Sequence, residues 1–461
     1  MEISVKFHIF HTIFHILNQS MIYPEVYMLI FHRFIKEFNS LLWSAPLMIL
    51  ILGTHLLYTI RLKFIQRKVG HGILLSVKND DDGDGDISPF DTLATTLAAT
   101  LGTGNIIGIS TAVALGGPGA IFWCWITGVL GMATTYAECY LSFLYRKRNK
   151  DGSYIGGPMY VLEKGMHMKG LAIIFSIFTV LASFGVGCST QAKAITETTH
   201  TLWGMNEYVI GLLVALLTGI VIVGGVKKIS SICTKLVPAM GAFYILGCFI
   251  ILFINRSAIL PSINLIIKSA FQTKAATGGF IASGMMLAAR QGIAKGLFTN
   301  EAGLGSAGIA AAASKSIHPE RQALVSMTAT FWDTVVMCAI TGLVIVSSII
   351  KNPSCIEGYS FAEYTTAAFD QIPYLGSTIL GISIICFAIA TLIGWSYFGE
   401  KATEYLFGQK GTPIYHLIYI IAIFLGSIMS LELVWDMTDT FNALMALPNL
   451  LTLLFLAKKV H

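Results

Sequence analysis

From about residue 41 to its end, the chain breaks into runs of roughly 20 apolar residues separated by short charged or Gly/Pro-containing stretches. A run of that length, coiled as a helix, crosses the hydrocarbon core of a bilayer. Lipid offers the backbone no hydrogen-bond partner, so a spanning segment must satisfy its own amides and carbonyls, and a helix does this within one segment. The pattern therefore predicts an all-α polytopic membrane protein. Eleven candidate spans emerge, at 41–58, 93–115, 121–145, 171–199, 209–223, 236–254, 278–314, 323–350, 376–398, 414–431 and 437–456.

Composition agrees with this and closes off other classes. Of 461 residues, 55% are hydrophobic and 12% charged, more apolar surface than a water-soluble domain of this size can cover. The net charge of +5 comes from short Lys/Arg clusters between apolar runs, a distribution that sets membrane topology rather than a nucleic-acid footprint, so no nucleic-acid partner is expected. The eight cysteines show no CxxC or Cys/His metal spacing and read as small buried hydrophobes.

Basic residues in short loops stay on the cytoplasmic side. If the first span ends inside, the cytoplasmic loops hold Arg61, Lys63, Arg67 and Lys68, then Arg146, Lys147, Arg148 and Lys150, then Lys227, Lys228 and Lys235. Lys315, Arg321, Lys401, Lys410, Lys458 and Lys459 fall on the same side, leaving the opposite loops poor in cations. This predicts an inner-membrane protein with its N-terminus outside and its C-terminus in the cytoplasm. The first 38 residues, interrupted by Asn18, Gln19, Pro24 and Lys36, make no convincing span and read as an N-terminal extension, with Met21 or Met28 as alternative starts. Residues 39–461 then form one transmembrane domain.

The most informative segment is Gly102-Thr103-Gly104-Asn105, in the middle of the second apolar run. Gly inside a helix costs about 1 kcal/mol relative to Ala, and two of them around Thr103 invite unwinding. Unwound backbone at membrane depth is tolerated where it lines a cavity, and there its carbonyls and amides can coordinate cations and carboxylates. Close packing of helices is the competing explanation. The seventh run is interrupted in the same way by 290–306, which includes Arg290, Lys295, Thr299, Asn300, Glu301, Gly303 and Gly305. Two interrupted spans five helices apart indicate an inverted-repeat transporter with its site between them. Repeats at roughly 92–254 and 276–457 follow from that spacing. Glu301, ionisable near mid-membrane, is read either as a direct ligand or as a tie between the break and a neighbouring helix. In the ninth run Phe387, Ala390, Thr391, Gly394 and Trp395 share a face, which suits a small-ligand pocket or helix packing equally. The acidic stretch 80–91 has the oxygen spacing of a calcium-binding loop, but Pro89 and the following span favour a solvated acidic loop.

These residues resemble the alanine or glycine:cation symporter family, whose members share the leucine-transporter fold. The resemblance covers about residue 41 to the C-terminus. It is carried by Gly85-Asp86-Ile87-Ser88-Pro89-Phe90, the break at Gly102 to Asn105, Gly116-Gly117-Pro118-Gly119 and Gly156-Gly157-Pro158-Met159. Further carriers are the run from Gly296 to Ala307, Ile393-Gly394-Trp395 and Pro448-Asn449-Leu450. The resemblance implies one N-terminal helix followed by two inverted five-helix repeats, with spans two and seven broken. It also implies alternating-access symport of a small neutral amino acid, alanine or glycine, with sodium, and neither an enzymatic activity nor a cofactor. Substrate would meet Thr103, Gly104, Gln191, Thr299, Asn300 and Trp395, and sodium would meet Gly102, Asn105 and Thr391. Lys193 stands where the family usually has asparagine, and Ala390 where it usually has serine. Lys193 and Glu301 are thus candidate coupling residues, with Asp333 and Glu138 as further intramembrane charges. Proton coupling, or a non-transporting sensor or channel on the same fold, are the alternatives.

Overall fold

The computed structural model describes residues 24–78, 83–272 and 284–461. Helix α1 (Pro24–Leu42) lies ahead of the first expected span, and its proline occupies the first turn, where no amide partner is needed. One face of α1 buries Ile35 while Ile30, Phe31 and Phe34 stay exposed. A 47° bend at Trp43 and Ser44 leads into α2 (Ala45–Arg61). The short α3 (Val69–Ser76) precedes the first broken span, α4 (Pro89–Thr100) and α5 (Ile107–Gly116), which meet at 60°.

The start of α4 is dictated locally. Ser88 Oγ accepts from the Asp91 amide at 3.1 Å, and the Asp91 carboxylate accepts from the Ser88 amide at 3.3 Å, a reciprocal cap with Pro89 in the first turn. Asp91 also accepts from the Thr234 hydroxyl at 2.8 Å. The last oxygen position of the calcium-loop pattern is therefore a helix cap, while Asp80 and Asp82 lie outside the described residues.

Helix α6 (Gly119–Leu144) is followed by a small hairpin, β1 (Lys147–Arg148) antiparallel to β2 (Tyr154–Ile155). Helix α7 (Lys169–Phe184) continues through a π turn, Gly185–Ser189, into α8 (Thr190–Trp203). There follow α9 (Glu207–Ile222), α10 (Gly225–Ile254) and the short α11 (Ile259–Ser269). The second broken span is α12 (Met285–Asn300) and α13 (Ser306–Ala311). Helix α14 (Pro319–Thr330) passes through a π segment, Phe331–Cys338, into α15 (Ala339–Lys351). The chain ends with α16 (Tyr364–Phe369), α17 (Gly376–Phe407), α18 (Thr412–Ile428) and α19 (Leu431–Leu456).

Among the described residues seven helices are long and apolar enough to cross a membrane, or nine if each bent pair is one span. Helix α9 is apolar but has 16 residues, and α12 carries Arg290 and Lys295, so the expected eleven exceeds what length and composition establish. Burial sorts the helices. On α9, Leu212, Leu213, Leu216 and Leu217 are exposed, as are Ile414, Leu417, Ile418 and Ile421 on α18, which is how a lipid-facing surface looks. On α17, by contrast, Phe387, Ala390, Thr391, Ile393 and Trp395 are all buried. A methyl on Gly394 would come within 2.7 Å of the Ala99 backbone, so this glycine lets α17 lie directly on α4, next to the first break.

Candidate functional site: two interrupted helices

At the first break, Leu101 and Gly102 leave the helix, Thr103–Asn105 form a single 3-10 turn, and α5 resumes at Ile107. Asn105 organises the turn. Its Oδ1 accepts from the Gly102 amide at 3.0 Å, and its Nδ2 donates to Asp333 Oδ1 at 2.7 Å. Asp333 lies in the π segment between α14 and α15, fully buried, and its other oxygen accepts from the Thr334 hydroxyl at 2.6 Å. Such π segments recur at functional sites because they re-aim side chains within a continuous helix.

Two spans close on this turn. From α8, Gln191 Oε1 accepts from the Thr103 amide at 3.3 Å, while Gln191 Nε2 donates to the Val186 carbonyl at 3.0 Å in the π turn. From α17, the Thr391 hydroxyl lies 3.1 Å from the Ala98 carbonyl and 3.4 Å from the Leu101 carbonyl, oxygens that the break frees from helical pairing. A methyl on Gly102 would come within 2.6 Å of that hydroxyl, and one on Gly104 within 2.7 Å of the Phe298 ring and 2.8 Å of the Thr299 methyl. Both glycines are therefore required by close approach, the first to α17 and the second to the other broken span.

At the second break α12 stops at Asn300. Glu301 adopts the left-handed region (φ 57°), followed by Gly303 (φ 103°) and Gly305 (φ 87°). A left-handed Glu costs about 1 kcal/mol or more and persists only where its surroundings enforce it. Here they do. The Glu301 carboxylate accepts from the Trp395 indole at 2.8 Å and from the Ser306 hydroxyl. Glu138 on α6 accepts from the Gly303 amide at 2.8 Å and from Asn449 Nδ2 at 2.6 Å, and Asn449 also donates to the Gly303 carbonyl at 2.9 Å. Glu301 thus links its break to α17. Trp395 is fully buried and pressed against the π turn, where a methyl on Gly187 would come within 2.2 Å of it.

Thr103, Gly104, Gln191, Thr299, Gly102, Asn105 and Thr391 come together where the breaks approach each other, and Asn300 ends α12 one residue beyond Thr299. Two buried polar atoms there, Thr103 Oγ1 and Asn300 Nδ2, have no partner among the described residues. Lys193, a candidate coupling residue, points away from this group. It lies about 200° round the helix from Gln191, and its Nζ pairs with Glu207 at 3.0 Å at the start of α9. Sequence reading also missed the ion pair of Lys295 with Asp439 at 3.1 Å, with the Lys295 ammonium 4.6 Å from the Trp435 ring. Asp333 and Glu138 stood out as intramembrane charges, but Asn105, which reaches Asp333, and Gly303 and Asn449, which reach Glu138, lie far away in sequence and no local signal names them.

The sequence profile of a family described as the sodium:alanine symporter family matches residues 28–461. The chain is 43% identical to the sodium/alanine symporter AgcS of Methanococcus maripaludis, over 93% of this chain and 95% of that protein. It is equally identical, at 43%, to an uncharacterised transporter of Haemophilus influenzae, over 92% of this chain and 94% of that protein. Among solved structures it superposes on a Na+-coupled sialic acid symporter with a TM-score of 0.55 at 14% identity, covering 84% of this chain and 82% of the other. MhsT, crystallised with L-phenylalanine, gives a TM-score of 0.55 at 15% identity, covering 81% of this chain and 90% of the other. At such identities these structures establish a shared fold, that of the leucine-transporter class.

Proposed function

Because this chain belongs to the sodium:alanine symporter family, we propose that it carries a small neutral amino acid, alanine or glycine, together with sodium by alternating access. The observation that carries the reading is the close approach of the two breaks, Gly104 lying against Phe298 and Thr299, with a buried polar atom on each that has no partner among the described residues, Thr103 Oγ1 and Asn300 Nδ2. A hydroxyl can accept from an ammonium and an amide can donate to a carboxylate, so the pair suits a zwitterion. Thr103, Gly104, Gln191, Thr299 and Asn300 line the amino-acid site, and Trp395 positions it through Glu301. Sodium lies between the Gly102 to Asn105 turn and Thr391, whose hydroxyl stands beside two carbonyls released by the break. No covalent chemistry is needed, and each ligand raises affinity for the other by the same factor.

The basic loops support an inner-membrane protein with eleven spans, its N-terminus outside and its C-terminus in the cytoplasm. One observation favours a second reading, proton coupling: the buried Asp333 carboxylate has neutral hydrogen-bond partners, Asn105 and Thr334. Uptake of labelled alanine into proteoliposomes separates the two. Accumulation driven by a sodium gradient alone is expected, accumulation driven by a proton gradient alone replaces sodium with protons, and no accumulation under either gradient removes the symport reading.

A further inference from the structure

The block Gly85-Asp86-Ile87-Ser88-Pro89 is not used by the amino-acid or sodium site. Its residues run beside 313–316, the chain just beyond α13. Ile87 and Ser314 form a parallel bridge, in which the Asp86 and Ile87 amides donate to the Ala313 carbonyl at 2.8 and 3.2 Å and the Lys315 amide donates to the Ile87 carbonyl at 2.8 Å. The two segments touch backbone to backbone. A methyl on Gly83 would come within 2.7 Å of the Ser316 amide, and one on Gly85 within 2.3 Å of the Ser314 carbonyl.

Arg146, just past the end of α6, fastens this bridge. One guanidinium nitrogen donates to the carbonyls of Ala312 and Ser314 at 3.3 and 2.9 Å, and another donates to the Asp84 carbonyl at 2.9 Å. The guanidinium carbon lies 3.8 Å from the Phe143 ring centre and 4.2 Å from that of Tyr154. The Tyr154 amide in turn donates to the Asp86 carboxylate at 2.9 Å. A planar fork spreads its fixed donors over carbonyls on two separate segments, whereas an ammonium gathers its three donors at one point.

Position gives the knot its meaning. Segment 83–87 leads directly into α4, and segment 313–316 leaves α13, so the knot joins the inner halves of both broken spans. It lies on the face whose loops are rich in Lys and Arg. A cavity of about 500 Å³ lined by Asp86, Ser88, Lys227, Thr234 and Lys315 opens beside it. Hydrogen bonds at such an aqueous end exchange for bonds to water when they part, so they can open repeatedly, whereas the same bonds broken in lipid would stay unsatisfied.

We propose that this knot is the inner closure of the transport pathway: the 83–87 and 313–316 bridge locks α4 to α13, and Arg146 must release it before the amino acid can leave towards the cytoplasm. The proposal rests on the symport reading above, and two measurements keep the two apart. In the Ile87→Cys/Ser314→Cys protein, oxidation to a disulfide is expected to abolish alanine uptake and reduction to restore it, with each single variant indifferent to oxidant. A cross-linked protein that takes up alanine at the parental rate overturns the proposal. Hydrogen exchange of segments 83–88 and 312–316 needs neither transport nor cross-linking. Arg146→Lys is expected to speed their exchange about tenfold, the effect of losing roughly one charge-assisted hydrogen bond. Exchange unchanged by that substitution overturns the closure even if alanine uptake is normal. If the parent moves no alanine, the symport reading fails, and the exchange result still decides whether the closure exists.

Discussion

Thr391 shows how one hydroxyl can matter more than its surroundings. It stands beside the Ala98 and Leu101 carbonyls on one side and within reach of Gly102 on the other. Thr391→Val keeps the shape and removes the oxygen. The sodium concentration giving half-maximal uptake is expected to rise about tenfold or more, read from a sodium titration of uptake, with a smaller effect on alanine affinity at saturating sodium. Gly104→Ala tests the opposite property, since its methyl must enter space occupied by the Phe298 ring and the Thr299 methyl. Uptake is expected to be lost while the purified protein keeps its elution profile and helical circular dichroism. Trp395→Phe removes the indole donor from a buried Glu301 oxygen, a loss of about 1–3 kcal/mol. The expected result is a lower thermal midpoint together with slower uptake.

Among elements, the second break depends on helices that are not its neighbours in sequence. Glu138 from α6 and Asn449 from α19 share the backbone of Gly303, so both serve one structural unit. Groups in one network do not contribute additively. Glu138→Gln and Asn449→Ala are each expected to lower the thermal midpoint, and the double variant to lower it by clearly less than the sum. An additive double variant would mean that the two residues act separately. The π segments at Gly185–Ser189 and Phe331–Cys338 work at the same scale. Each flanks a residue that reaches the first break, Gln191 beyond the first and Asp333 within the second.

For the whole molecule, the proposed orientation, with the N-terminus outside and the C-terminus in the cytoplasm, is read from the distribution of basic residues. Cysteine replacing Lys410 is expected to react with a membrane-impermeant reagent only in inside-out vesicles, and cysteine replacing Arg256 only in right-side-out ones. The reverse result would invert the topology. The exposed apolar faces of α9 and α18 belong to this scale as well, because they have meaning only when the surrounding solvent is lipid.

Much of this was legible before any folding was considered. Run length and apolarity dictate helices in a bilayer, because each segment must satisfy its own backbone hydrogen bonds. Glycine spacing marks where two of those helices break, since intrinsic propensity acts locally. The ordered blocks from Gly85 to Leu450 carry the family. Lys193 shows the limit of such reading: one helix position decides whether a charge faces the pocket, and its partner Glu207 had to be placed by the turn into α9. Tertiary packing alone decided which buried groups meet. Asn105 finds Asp333, Glu138 finds Gly303 and Asn449, Lys295 finds Asp439, and Arg146 finds the segments at the ends of α4 and α13 that lie away from the breaks. Periodicity assigns a residue to a face of its own helix, whereas the identity of the opposing residue depends on how separate helices pack, and no single stretch of sequence contains that.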